Sequence, residues 1–208
     1  MNLTIIPSSD WAKDVALFLA QRLEKGGLFV ASGGNSPALV FRHLQKMALA
    51  WEKITVTLSD ERWVPNDHPD SNENLIRKEL GARINFCPLY NGAGSPLLGL
   101  EETSERLARL SWPADVCFLG MGEDGHTASL FPGEGHDGDY CVIGKNNSRL
   151  SLSLPRLLRS RSIALLVNSP AKLKIFKAAL NGADFPVAKI IHQTLAPVFA
   201  FTIEEKPL

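Results

Sequence analysis

Residues 115–132 read DVCFLGMGEDGHTASLFP, and their pattern settles the fold class. Residues 115–119 form a near-continuous apolar run of strand length, as expected of a strand buried on both faces of a parallel sheet. The run gives way at Gly120, and residues 120–131 hold three glycines, two carboxylates and His126 before Pro132. A buried strand that opens into a glycine-rich, charged exit is what the carboxyl edge of an α/β sheet presents, and ligands gather at such edges.

The flanking sequence repeats the theme. Residues 98–110 have helical periodicity. Residues 132–147, rich in Gly and Asp, read as a loop. Residues 149–154 alternate polar and apolar, as a half-buried strand does. Residues 162–167 are apolar again, Pro170–Leu180 is helical and 198–202 closes the series. Toward the N-terminus, residues 3–6 read as a strand. Trp11–Leu23 places Trp11, Val15, Phe18, Leu19 and Leu23 on one helical face, with Gly26 and Gly27 stopping it. A strand at 28–31, a helix at 37–49 and a strand at Ile54–Leu58 follow. Asp70 with Glu73 resembles a capping box opening a helix to Leu80. Strands alternating with helices at this spacing predict one α/β domain over residues 1–208. It is Rossmann-like, with a mainly parallel sheet, helices on both faces and right-handed crossovers. No internal repeat or interdomain linker interrupts it.

Composition limits the function classes. Of 208 residues, 45% are hydrophobic and 21% charged, and 22 Lys and Arg balance 22 Asp and Glu. A net charge near zero leaves no broad electrostatic footprint, so neither a nucleic acid nor an anionic membrane is the expected partner. An acidic ligand must be held by local groups. Cys87, Cys117 and Cys141 are scattered and odd in number, which argues against a disulfide framework or zinc knuckle. No apolar run approaches the roughly 18–20 residues that span a membrane, and residues 1–7 lack the features of a signal peptide. The expected compartment is the reducing cytoplasm.

Three strand exits carry the chemistry. The first holds Gly33, Gly34, Asn35, Ser36 and Pro37. Adjacent glycines and a helix N-terminus suit a phosphate, though a plain strand-to-helix turn has the same composition. The GK[ST] ending of a Walker loop is absent. The second holds Asp60, Glu61 and Arg62. Asp60 suits orientation of a base or of sugar hydroxyls and Arg62 a bidentate phosphate contact, while an exposed turn with a local ion pair is the plainer alternative. The third is the quoted loop. A histidine such as His126 can take and return a proton at cellular pH, and the glycines can aim backbone N–H groups at an oxyanion. A structural histidine is the competing reading. Glu123, Asp124, His126, His136, Asp137 and Asp139 match neither an HExxH nor an EF-hand spacing, so no metal is expected. Ser129 lacks the GxSxG setting of a nucleophile. Lys172, near the start of a helix after a strand, is either a solvated lysine or a phosphate contact.

Together these segments resemble the 6-phosphogluconolactonase family, within the group that includes glucosamine-6-phosphate deaminases. The likeness rests on residues 32–37, on Asp60-Glu61-Arg62 with Val64-Pro65 and Ser71-Asn72, and on residues 120–132. Thr127, Ser129, Leu130 and Phe131 match the lactonase Gly-His-Thr-Ala-Ser-Leu-Phe-Pro rather than the deaminase Gly-His-Ile-Ala-Phe-Asn-Glu-Pro. The resemblance implies hydrolysis of 6-phospho-D-glucono-1,5-lactone in the oxidative pentose phosphate pathway, without a cofactor. A monomer or weak homo-oligomer is expected. The resemblance also implies His126 as general base and Asp60 as a substrate-site acid. Gly33, Gly34, Asn35 and Ser36 fall on the phosphate loop, with Arg62, Arg149 and Lys172 as substrate-binding cations. Two departures stand out: Asn35-Ser36 replaces the usual Ser-Thr, and Ser169 replaces a glycine. The rivals are a deaminase, in which Asp60 moves a proton at a sugar carbon, and a non-catalytic sugar-phosphate sensor.

Overall fold

The computed structural model describes residues 2–81, 84–145 and 147–204. In chain order the elements are β1 (Leu3–Ser8), α1 (Trp11–Leu23), β2 (Gly27–Ala31), α2 (Asn35–Leu44), β3 (Ile54–Leu58), β4 (Asp60–Arg62), α3 (Asn72–Leu80), β5 (Asn85–Cys87), α4 (Pro96–Ala108), β6 (Val116–Gly120), β7 (Cys141–Gly144), β8 (Arg149–Leu152), α5 (Leu154–Leu158), β9 (Ile163–Val167), α6 (Pro170–Leu180), α7 (Pro186–Gln193) and β10 (Val198–Ile203). A short 3-10 turn, Trp51–Lys53, leads into β3.

Seven strands form one sheet in the order β1-β10-β9-β6-β2-β3-β5, and every pairing in it is parallel. The central strands are buried along their length, which is why they read as unbroken apolar runs. Helices α1, α2 and α3 pack as one layer and α5, α6 and α7 as another, covering the two faces. Phe41 of α2 meets Phe29 of β2 and Phe118 of β6 edge to face, with centroids 6.3 and 6.1 Å apart. This arrangement suits aromatic quadrupoles and seats α2 over the sheet centre. Among the described residues, no helix is long and apolar enough to cross a membrane.

The strand order positions the site. From β2 the chain steps through β3 to β5, then returns to lay β6 on the other side of β2 and continues through β9 to β10. Successive connections therefore diverge at β2 and β6, and a crevice opens at their carboxyl ends. The exits at Ser32 and Gly120 are its two walls.

A second, antiparallel sheet, β4-β8-β7, stands beside this crevice. It was not expected: residues 59–65 read as an exit, and β7 lies within the predicted 132–147 loop. Both strands are too short to show periodicity, and their pairing with β8 defines them. Helix α2 ends at Leu44, five residues before its expected limit. Helix α3 is not capped by a box of Asp70 and Glu73. Its N-cap is Ser71, whose Oγ accepts from Asn74 N at 3.1 Å. The first helical N–H groups, of Asn72 and Glu73, instead donate to the Glu61 carboxylate, each at 2.8 Å. A buried acid from another strand thus satisfies donors that a local cap would normally take.

Candidate active site

At the β2 exit, Gly34 has φ +103°, a conformation that L side chains rarely adopt, and it serves as the N-cap of α2. Pro37 has no N–H, and Ala38 N bonds to Gly34 O at 3.1 Å. Asn35 and Ser36 line the crevice, and their N–H groups belong to the first turn of α2, whose donors have no intrahelical partner.

Strand β4 sorts its three charges by the two-residue period of a strand. Asp60 and Arg62 line the cleft, whereas Glu61 points away into the start of α3. Asp60 is buried, and its two oxygens are occupied. Oδ2 accepts from Ser129 Oγ at 2.5 Å and lies 3.5 Å from Arg149 Nη1, and Oδ1 accepts from Ser59 Oγ at 3.2 Å. Arg62 Nη1 donates to Asp70 O and Asn72 Oδ1 at 2.9 and 2.7 Å, while its buried Nε has no hydrogen-bond partner. In the β4–β8 register Arg62 lies directly opposite Arg149. Like charges paired across strands repel, so this juxtaposition favours an anion beside them.

The loop after β6 folds on itself. Gly122 N donates to His126 O at 2.8 Å, and Thr127 Oγ1 donates to Gly120 O at 2.8 Å. Asp124 Oδ1 lies 2.6 Å from His126 Nδ1 and accepts the His126 backbone N–H at 3.1 Å. The imidazole stacks on Phe131, centroids 4.5 Å apart. Burial works against the Asp124 charge, but the backbone bond, the ring bond and the charge of His126 together hold its carboxyl below the usual carboxylate range. The folded value is the depressed one. The stability this pairing contributes is therefore present above the ordinary carboxylate pKa and is lost as pH falls through the lowered value. An ionised Asp124 accepts a hydrogen bond from Nδ1–H of the imidazole, which in the neutral ring leaves Nε2 as the nitrogen able to take a proton.

Gly122 makes room for this pair. A Cβ built there falls on the His126 ring and the Asp124 carboxylate. We expect Gly122→Ala to lower kcat by about 10²-fold through misplacement of the imidazole. Its melting temperature, measured alongside, should change little, because Gly122 and the His126 and Asp124 side chains it would meet are half-buried or exposed. Unchanged turnover would contradict this placement.

Lys172, in the first turn of α6, is half-buried; its Nζ donates to Asn168 Oδ1 at 3.1 Å. Burial pushes its pKa down, with the charge of Glu123 acting the other way. All nine residues singled out from the sequence (Gly33, Gly34, Asn35, Ser36, Asp60, Arg62, His126, Arg149 and Lys172) line one cleft of ≈ 220 Å³. Of the two uses read for Asp60, orienting a base or binding sugar hydroxyls, the first falls to Asp124, which holds His126, while Asp60 is joined to Ser129 and Arg149. Ser129, read as a weak nucleophile candidate, is buried with its hydroxyl on Asp60. Asn72 and Asn168 also support the cleft, and no local pattern marked Asn168. Among the described residues, no three His, Cys, Asp or Glu side chains form a metal-binding group.

The family model for glucosamine-6-phosphate isomerases/6-phosphogluconolactonase matches residues 8–198. The chain belongs to this family. Within the family, it is 43% identical over 208 residues to a 6-phosphogluconolactonase of Rhizobium meliloti, covering 90% of each chain. It is 44% identical over 135 residues to one of Pseudomonas aeruginosa; that alignment covers 60% of this chain and 57% of the relative. The crystal structure of a 6-phosphogluconolactonase from Shewanella baltica superposes with a TM-score of 0.90 at 30% identity, covering 97% of each chain. The family's parallel sheet and single-domain architecture are thus those seen here.

Proposed function

We propose that this protein hydrolyses 6-phospho-D-glucono-1,5-lactone to 6-phospho-D-gluconate, in the oxidative pentose phosphate pathway, with His126 as general base. The observation that carries the reading is the His126–Asp124 pair, 2.6 Å apart, in a cleft shared with Arg62, Arg149, Lys172 and the N-terminus of α2. A poised base facing an anion-binding wall is what a phosphorylated, hydrolysable substrate requires. The names of the relatives point to the same substrate.

In this mechanism the phosphate binds at Gly33 to Ser36 with Arg62 and Lys172. Binding energy from that remote group orients the lactone carbonyl. Water attacks C1 while His126 Nε2 takes its proton, and the imidazolium formed is stabilised by Asp124. Loop N–H groups or Arg149 meet the developing oxyanion. The carbonyl then reforms, the C1–ring oxygen bond breaks, and the imidazolium returns its proton to the departing oxygen. Asp60 has both oxygens engaged, which suits holding Arg149 and the sugar hydroxyls better than removing a proton. The three buried, unpaired cysteines fit a reducing cytoplasm as the working compartment.

The test is an assay with freshly generated 6-phosphogluconolactone, corrected for spontaneous opening. Acceleration of ring opening is expected. Ammonia release from glucosamine 6-phosphate without lactone hydrolysis would replace this reading with the deaminase one. A second expectation concerns pH. Because burial lowers the pKa of Lys172, binding of 6-phosphogluconate should weaken as pH rises through a value below that of an ordinary lysine. Calorimetric titration across alkaline pH measures this. Lys172→Met should bind more weakly and show a flat profile; an unaltered profile would remove Lys172 from the phosphate site.

A further inference from the structure

Behind the cleft, one side chain joins two of the anion-binding groups. Asn168 Nδ2 donates to Ser36 Oγ at 2.8 Å, and Asn168 Oδ1 accepts from Lys172 Nζ at 3.1 Å. Asn168 follows β9, Lys172 lies one helical turn later, and Ser36 stands 132 positions earlier, in the first turn of α2. Asn168 itself does not line the cleft.

The polarity of this chain follows from which groups can donate. An ammonium has hydrogens to give and no lone pair, so the Asn168 atom facing Lys172 is the amide oxygen. Turning the amide over would set NH₂ against NH₃⁺. Its nitrogen therefore faces Ser36, and the Ser36 hydroxyl accepts there. A hydroxyl that accepts on one side keeps its own hydrogen for another direction, and Ser36 lines the cleft. Lys172 similarly spends one hydrogen on Asn168 and keeps two. A single amide thereby orients a neutral donor and a cation from elements far apart in sequence.

We infer that Asn168 is a positioning residue for phosphate recognition, holding Ser36 and Lys172 as donors aimed at one anion. This rests on the phosphate placement proposed above. The arrangement prepays the ordering of a rotatable hydroxyl and a flexible lysine, so that less is lost on binding. It also accounts for Asn168 being half-buried and bonded through both ends of its amide.

The discriminating variant is Asn168→Leu, which is similar in volume, uncharged and unable to donate or accept. KM and kcat for 6-phosphogluconolactone are measured with the inhibition constant of inorganic phosphate. KM is expected to rise about tenfold (about 1.4 kcal/mol), the phosphate inhibition constant to rise in step, and kcat to stay within about twofold. Asn168→Asp, which only accepts, draws the Ser36 hydrogen toward itself and is expected to raise both constants further. Wild-type KM and phosphate inhibition in Asn168→Leu would overturn the inference. A fall in kcat at unchanged KM would overturn it too, because that marks a packing role. Ser36→Ala and Lys172→Met separate the two levels. If neither alters KM or phosphate inhibition, the phosphate placement itself fails. If they do and Asn168→Leu does not, only the role of Asn168 fails.

Discussion

Alanine in place of His126 is expected to lower kcat for enzyme-dependent lactone hydrolysis by about 10²–10⁴-fold, the usual worth of general acid–base catalysis. KM should change little, because the phosphate-binding groups lie on other elements. The substitution removes the atom that takes the water proton and later returns it to the ring oxygen. It leaves the cleft otherwise intact, since the imidazole's contacts are with Asp124 and Phe131 of its own loop. Asp124→Asn should give an intermediate loss: the amide oxygen can still hold Nδ1–H, but the charge that stabilises the imidazolium is gone. The measurement is initial-rate hydrolysis with the spontaneous reaction subtracted. Near wild-type turnover by His126→Ala would rule this histidine out as the base, and an Asp124→Asn loss larger than that of His126→Ala would make the pairing secondary.

The largest stability effect is expected at Glu61. Its carboxylate is fully buried and accepts from Arg62 N, Asn72 N and Glu73 N at 2.8 Å each and from Ser71 Oγ at 3.0 Å. Burial pushes its pKa up, and these four donors act against that push. Glu61→Ala would strand all four donors and leave a void, because water has little access. A loss of about 3–5 kcal/mol is expected, comparable to breaking a buried ionic network. For a chain of this size that lowers the melting temperature by roughly 10 °C. Glu61→Gln keeps the shape but turns one acceptor into a donor, so it should lose less. Thermal or urea unfolding measures both; an Ala variant within about 1 kcal/mol of wild type would refute the anchoring role. The consequence reaches the cleft through Asn72, which begins α3, donates to Asp60 O at 2.8 Å and accepts from Arg62.

Long elements were legible because their signals are local. The bounds of Trp11–Leu23, Ile54–Leu58 and Pro170–Leu180 agree with the periodicity that predicted them, since an apolar stripe or run reports burial directly. The parallel sheet followed from alternation of such elements. By contrast, β4, β5 and β7 have three or four residues each, too few for a period to register. They exist as strands because of the partners they pair with: β8 and β3, distant in sequence, for β4 and β5, and the adjacent β8 for β7.

The cleft divides along the same line. Its residue types and the strand exits that carry them could be read from sequence, because glycines, a helix start and a histidine after a buried strand are contiguous features. The partnership of each side chain could not. The sequence left open whether Asp60 orients His126 or a sugar hydroxyl, and whether Glu123 and Asp124 act on His126 or only shape the turn. A tight loop brings Asp124 onto the ring, whereas Asp60 meets Ser129, 69 positions away in sequence. Glu61 read as part of a charged exit, yet the alternation of a three-residue strand turns it away from the cleft and into α3. Asn168 had no motif to mark it, and only the convergence of β9, α2 and α6 places its amide between Ser36 and Lys172. Residue types and the His126–Asp124 pair thus belong to sequence neighbours, while the partners of Asp60 and Asn168 were set by tertiary contacts, since hydrogen bonds act over about 3 Å of space whatever the separation along the chain.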